Sequence, residues 1–122
     1  MLTREELQTA QDFLAAAERE FALGELLAGE VLLADAAVNS IKTLAKRLGW
    51  PHGNDQELLD VLRRLDGESE APALTSRYQM IKAAPEMVRS GYSAGSEFED
   101  SWRDFLSARE FVERLEALDG GQ

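Results

Sequence analysis

Ala28 to His52 reads AGEVLLADAAVNSIKTLAKRLGWPH, and the rest of the chain is organised around it. Apolar residues recur at three- and four-residue steps on more than one side, which predicts one long helix over about Leu26 to Leu48. At 1.5 Å per residue such a helix is roughly 35 Å long, enough to cross a small domain. Leu27, Val31, Ala34, Val38, Ile41, Ala45 and Leu48 form its expected buried stripe, widened by Leu33, Ala37 and Leu44. The small residues Ala28, Gly29, Ala34, Ala36, Ala37 and Ser40 allow close approach by two or more neighbouring helices, or by a second copy of the same helix. Lys42, Lys46 and Arg47 fall in the last two turns, where they complement the carbonyl end of the helix dipole. Gly49 stops the helix and Pro51 prevents its continuation.

Working outward, the amino-terminal side carries a second stripe: Leu7, Ala10, Phe13, Leu14, Ala17 and Phe21. Thr3 and Glu6 have capping-box spacing, with Leu2 and Leu7 at the staple positions, so the first helix is expected from about Arg4 to Leu23, ending near Gly24. On the other side, Asn54 and Glu57 are spaced to cap a third helix, whose apolar face is Leu58, Leu59, Val61, Leu62 and Leu65 and whose stop is Gly67. A fourth helix is expected from Leu74 or Thr75. Pro85 lies inside it, predicting a kink or a division into two shorter helices. Ser90 to Gly95 reads as a loop. Ser96 and Glu99 could cap a fifth helix over about Glu97 to Leu118, with Phe98, Trp102, Phe105, Ala108, Val112 and Leu115 buried. No run alternates with a strand period and no segment repeats. The expected fold is all-α: a single-domain up-and-down bundle of four main helices plus a short one.

The chain has 122 residues and a net charge of −10. A domain of this size buries roughly 65% of the surface its unfolded chain exposes, so one core suffices without staples. There is no cysteine, which removes disulfides and thiolate metal sites. The acidic balance disfavours nucleic acid, since phosphate binding draws on clustered Lys and Arg. Only Lys42, Lys46 and Arg47 with Arg63 and Arg64 could form a basic patch. MLTREELQTAQDF lacks the basic start and apolar core of a secretory signal, and Val31 to Val38 is too short to span a bilayer, so a cytoplasmic protein away from membranes is expected.

Few chemistries remain. His52 is the one histidine; in an Asn/Gly-rich loop it is better placed to hydrogen-bond than to catalyse. With one histidine and no cysteine a zinc site is not expected, nothing in the sequence places His52 in a nucleophilic triad, and no phosphate-cradling Gly-rich loop occurs between a strand and a helix. The di-metal carboxylate bundle needs Glu-x-x-His pairs, and no Glu precedes His52 at that spacing. No catalytic residue, metal ligand or cofactor is expected.

The junction Ile41-Lys42-Thr43-Leu44-Ala45-Lys46-Arg47-Leu48-Gly49-Trp50-Pro51-His52, preceded by an Ala-rich helix and followed by Glu57-Leu58-Leu59, resembles the HEPN superfamily, specifically its small PaREP-type members. The resemblance covers about Glu18 to Leu65 and implies a bundle of four or five helices, commonly a homodimer, here through the Ala-rich second helix. It also implies ribonucleases, nucleotide binders, or partners of a small nucleotidyltransferase. The nuclease signature is an arginine, a polar residue, and a histidine a few residues on. Arg89 and Ser90 match, but Gly91-Tyr92-Ser93-Ala94-Gly95 contains no histidine. Without that imidazole its acid/base chemistry is lost. The resemblance therefore implies a degenerate, non-catalytic member acting through dimerisation and binding of a partner protein or nucleotide. A residual ribonuclease and an unrelated adaptor bundle are the alternatives. Arg89, Tyr92, His52 and Lys42 are the candidate binding residues.

Overall fold

The computed structural model describes residues 7–68, 74–90 and 97–120, and every regular element among them is an α-helix. In chain order these are α1 (Ala10–Ala22), α2 (Leu26–Leu48), α3 (Asp55–Glu68), α4 (Leu74–Arg89) and α5 (Glu97–Gly120). Each helix packs against the next, and α2 touches all four others, while α1 and α4 each also reach α5. No helix among the described residues is long and apolar enough to cross a membrane.

Two expected stops hold. Gly24 and Gly49 have φ of 81° and 76°, the left-handed conformation that glycine adopts without a Cβ penalty. Beyond them Glu25 N donates to Glu20 O at 2.9 Å, and Trp50 N donates to Ala45 O at 2.9 Å, which satisfies carbonyls at both helix ends. The helix-one start differs from the expectation. Thr3 and Glu6 lie outside the described residues, and residues 7–9 are not helical. Thr9 and Asp12 make the capping box instead: Asp12 N donates to Thr9 Oγ1, and the Asp12 carboxylate accepts from Thr9 N at 3.1 Å. The backbone N–H groups of Gln8 and Thr9, both donating to it, hold the Asp12 carboxyl below its ordinary value.

The buried face of α2 is rotated from the expected stripe. Leu33, Ala36, Ala37, Ile41, Leu44 and Ala45 are buried, with Gly29 and Ser40 among them. Val31, Ala34 and Val38 are half-buried and Leu48 is exposed. The face with the most small side chains turned inward, because it lets neighbouring helices approach most closely.

Further along, Asn54 caps α3 as expected, its Oδ1 accepting from Glu57 N at 2.9 Å. Glu57 reaches back one residue further than a capping box does, to Gly53 N at 2.7 Å. Gly67 is not a stop, since α3 runs through it to Glu68. α4 is one helix with Pro85 inside, not two. The ladder resumes after the proline, with Ser90 N donating to Glu86 O at 2.9 Å. The proposed Ser96 cap lies outside the described residues. In α5, Phe105, Ala108, Val112 and Leu115 are buried as expected, together with Phe111 and Ser101, whereas Trp102 is on the surface. Trp102 stacks on Phe105 there, centroids 5.0 Å apart.

Candidate functional site

Glu30 is the anomaly of the core. It stands one helical turn before Leu33 on the stripe that continues through Ala37 and Ile41, where the period calls for an apolar side chain. It is 1% exposed, and neither carboxyl oxygen has a hydrogen-bond donor. A buried polar group without a partner is costly, so natural cores rarely keep one.

Facing it from α5 are Ser101, which is buried, and the carboxyl of Asp104. Burial pushes the Glu30 carboxyl up to about 9, with the Asp104 carboxyl adding to the rise and the Ser101 hydroxyl working against it. At neutral pH Glu30 therefore holds its proton, as expected for the more buried of two neighbouring carboxyls.

The pair lies on one side of a cavity of about 340 Å³ between α2, α4 and α5. α4 supplies a wall of uncharged side chains, among them Met80, Ile81, Ala84 and Met87. Met80 is 74% exposed and Met87 46%, so the cavity opens at a methionine-lined rim. Polarizable, unbranched methionines adapt to varied apolar shapes, and they recur at such binding surfaces. The remaining charged lining residues, Asp100 and Arg103, form an ion pair at 3.2 Å.

The residues nominated from sequence lie elsewhere. Lys42 is exposed on α2. His52 is half-buried in the α2–α3 loop with Nδ1 donating to the Trp50 carbonyl at 2.8 Å, the hydrogen-bonding loop role expected of it. Arg89, at the end of α4, pairs with Glu86 at 2.5 Å. Tyr92 lies outside the described residues. None of Lys42, His52 and Arg89 lines the cavity. The basic set is divided as well: Arg64 stacks 3.9 Å from the centroid of the half-buried Trp50 ring, and Arg63 lies 3.7 Å from Asp60. Among the described residues no group of three or more His, Cys, Asp or Glu could hold a metal ion. Glu30 could have been found in the sequence as the lone acid on a stripe otherwise apolar or small. Ser101 and Asp104 could not, since nothing local distinguishes them from the other polar residues of α5.

No protein-family model, curated protein or solved structure matches the chain.

Proposed function

We propose that this chain is a non-catalytic, HEPN-like helical protein that acts by binding, and that the groove between α2, α4 and α5 is where it binds. One observation carries this reading: a buried carboxyl with no hydrogen-bond partner opens on an apolar cavity large enough for a small ligand. Small-molecule sites have this composition, mostly apolar walls with a few convergent polar groups, and their volumes start at about 300 Å³. A nucleotide fits the groove poorly. Asp104 on its lining would repel phosphate across a low-dielectric space, and the lining cation, Arg103, is already paired with Asp100.

Homodimerisation through α2 is the companion proposal, on a narrower face than its small residues suggested. Ala36, Ala37 and Ala45 are fully buried within the protomer. A second copy would meet α2 along the half-buried Val31, Ala34 and Val38, which share one helix face. The ribonuclease alternative gains no support from Arg89, whose guanidinium is paired with Glu86.

Carbon-13-labelled methionine methyl groups report occupancy of the groove directly. Titration with a library of small apolar and amphiphilic fragments should shift the Met80 and Met87 signals saturably. A library that moves neither would sink the groove as a binding site. Light scattering on wild type and Val38→Glu tests the dimer, which the substitution should dissociate.

A further inference from the structure

We propose that the groove takes a small organic monocation, an ammonium on an apolar body, with its charged head on the Glu30 carboxylate and its body along Met80, Ile81, Ala84 and Met87. The inference rests on the groove being a binding site and names the chemistry of its ligand.

Three observations converge on a cation. Both Glu30 oxygens are buried without a hydrogen-bond partner; once the carboxyl ionises both accept, and an ammonium brings three N–H donors and no acceptor. Of the groups that face Glu30 from α5, the Asp104 carboxylate accepts only, while the Ser101 hydroxyl can both donate and accept. α4 lines the cavity with uncharged side chains alone, and the lining cation, Arg103, pairs with Asp100 at 3.2 Å. The site therefore holds more negative than positive groups around an apolar space, inside a chain of net charge −10. An anionic ligand would leave the Glu30 oxygens without donors, and a neutral hydroxyl would bring a donor but no charge. A cation supplies the missing donors and the missing charge together. The cavity volume of about 340 Å³ lies at the lower end of the range for small ligands, so a single head group on a short body is the matching size.

Binding is balanced by a proton. The Glu30 carboxylic acid releases its proton to solvent as the ammonium arrives, and the carboxylate and ammonium remain paired in the groove. Affinity then depends on pH through Glu30, with Asp104, Asp100 and Arg103 the other charged groups on the lining.

The test uses n-hexylammonium against n-hexanol as the neutral probe of the same body, read by Met80 and Met87 methyl shifts and by calorimetry. At pH 8, where alkylammonium is still protonated, hexylammonium should bind wild type at least about ten times more tightly than hexanol. Its affinity should rise up to about tenfold per pH unit between pH 6 and 8.5. Calorimetry in two buffers of different ionisation enthalpy should report about one proton released per ligand. Glu30→Gln should erase both the preference and the pH dependence and leave hexanol binding in place. Equal binding of the two probes at Met80 and Met87 overturns the cation while the groove stands. A preference that survives Glu30→Gln overturns the role of Glu30. No shift with either probe overturns the groove itself. Should Glu30→Gln fail to fold, the wild-type pH series decides alone, and a flat profile overturns the proposal.

Discussion

Phe21 of α1 fills the space that a side chain at position 29 of α2 would need: a Cβ built on Gly29 overlaps the Phe21 ring. The ring is buried, so it has nowhere to retreat without disturbing the α1–α2 contact. Gly29→Ala should therefore destabilise the protein by about 1–3 kcal/mol through overpacking, outweighing the roughly 1 kcal/mol gained from helix propensity. Gly67 is the internal control. It is also helical, but a Cβ there meets nothing within 4 Å, so Gly67→Ala should stabilise by about 0.5 kcal/mol. Urea denaturation of the two variants should give opposite signs.

Glu30 makes stability fall with pH. Its carboxyl is held near 9 in the folded protein against an ordinary value of 4.5, so between those values the folded state keeps a proton that the unfolded chain has released. Stability is full below the unfolded value and declines as pH rises toward the folded one, by up to about 1.4 kcal/mol per pH unit from this group. Glu30→Gln removes the titration and keeps the shape. Denaturation midpoints at pH 5.5, 7 and 8.5 should drop for wild type relative to Glu30→Gln. Parallel curves would show that Glu30 does not hold its proton.

Asp66 joins two helices. From α3 its carboxylate accepts from Leu74 N at 2.7 Å, Thr75 N at 3.0 Å and Thr75 Oγ1 at 2.7 Å, capping the start of α4. Burial alone would raise this carboxyl, but the Leu74 and Thr75 donors outweigh it and hold it below its ordinary 3.8. Its contribution is thus present above that value and lost as pH falls below it. Asp66→Ala should cost about 1–2 kcal/mol, the range for losing a helix cap, and amide exchange should speed up first in the opening turn of α4.

Tyr78 carries a buried hydroxyl with no partner. Burial, and next the nearby Asp55 charge, push the phenol up to about 12. Its ring stacks with Phe111, centroids 6.2 Å apart, and Tyr78→Phe keeps that stacking while removing the unpaired oxygen. The substitution should be neutral or stabilising by up to about 1 kcal/mol. A clear loss of thermal stability would mean that the hydroxyl has a partner in solution.

Much of the local architecture is legible in the sequence. The stops at Gly24 and Gly49, the Asn54 cap and the bounds of α2 depend on residues within one turn of each other, so a linear reading finds them. The loop role of His52 was legible for the same reason. The false stop at Gly67 has a local cause too: a glycine at the end of an apolar pattern has the same composition whether the chain turns left-handed there or stays helical.

The sequence by itself determined that the chain is helical and roughly where its helices lie, because hydrogen-bond periodicity and capping are short-range. It did not determine which side of α2 is the inside, because a helix apolar on several sides satisfies the period in more than one rotation. Tertiary packing decided that, by turning Gly29, Ala36, Ala37 and Ser40 toward the neighbouring helices. The same rotation drew Glu30 inward with them and set it beside Ser101 and Asp104, some seventy residues later in the chain. The candidate site is a consequence of that rotation, since a carboxyl becomes a costly buried group only when another helix covers it.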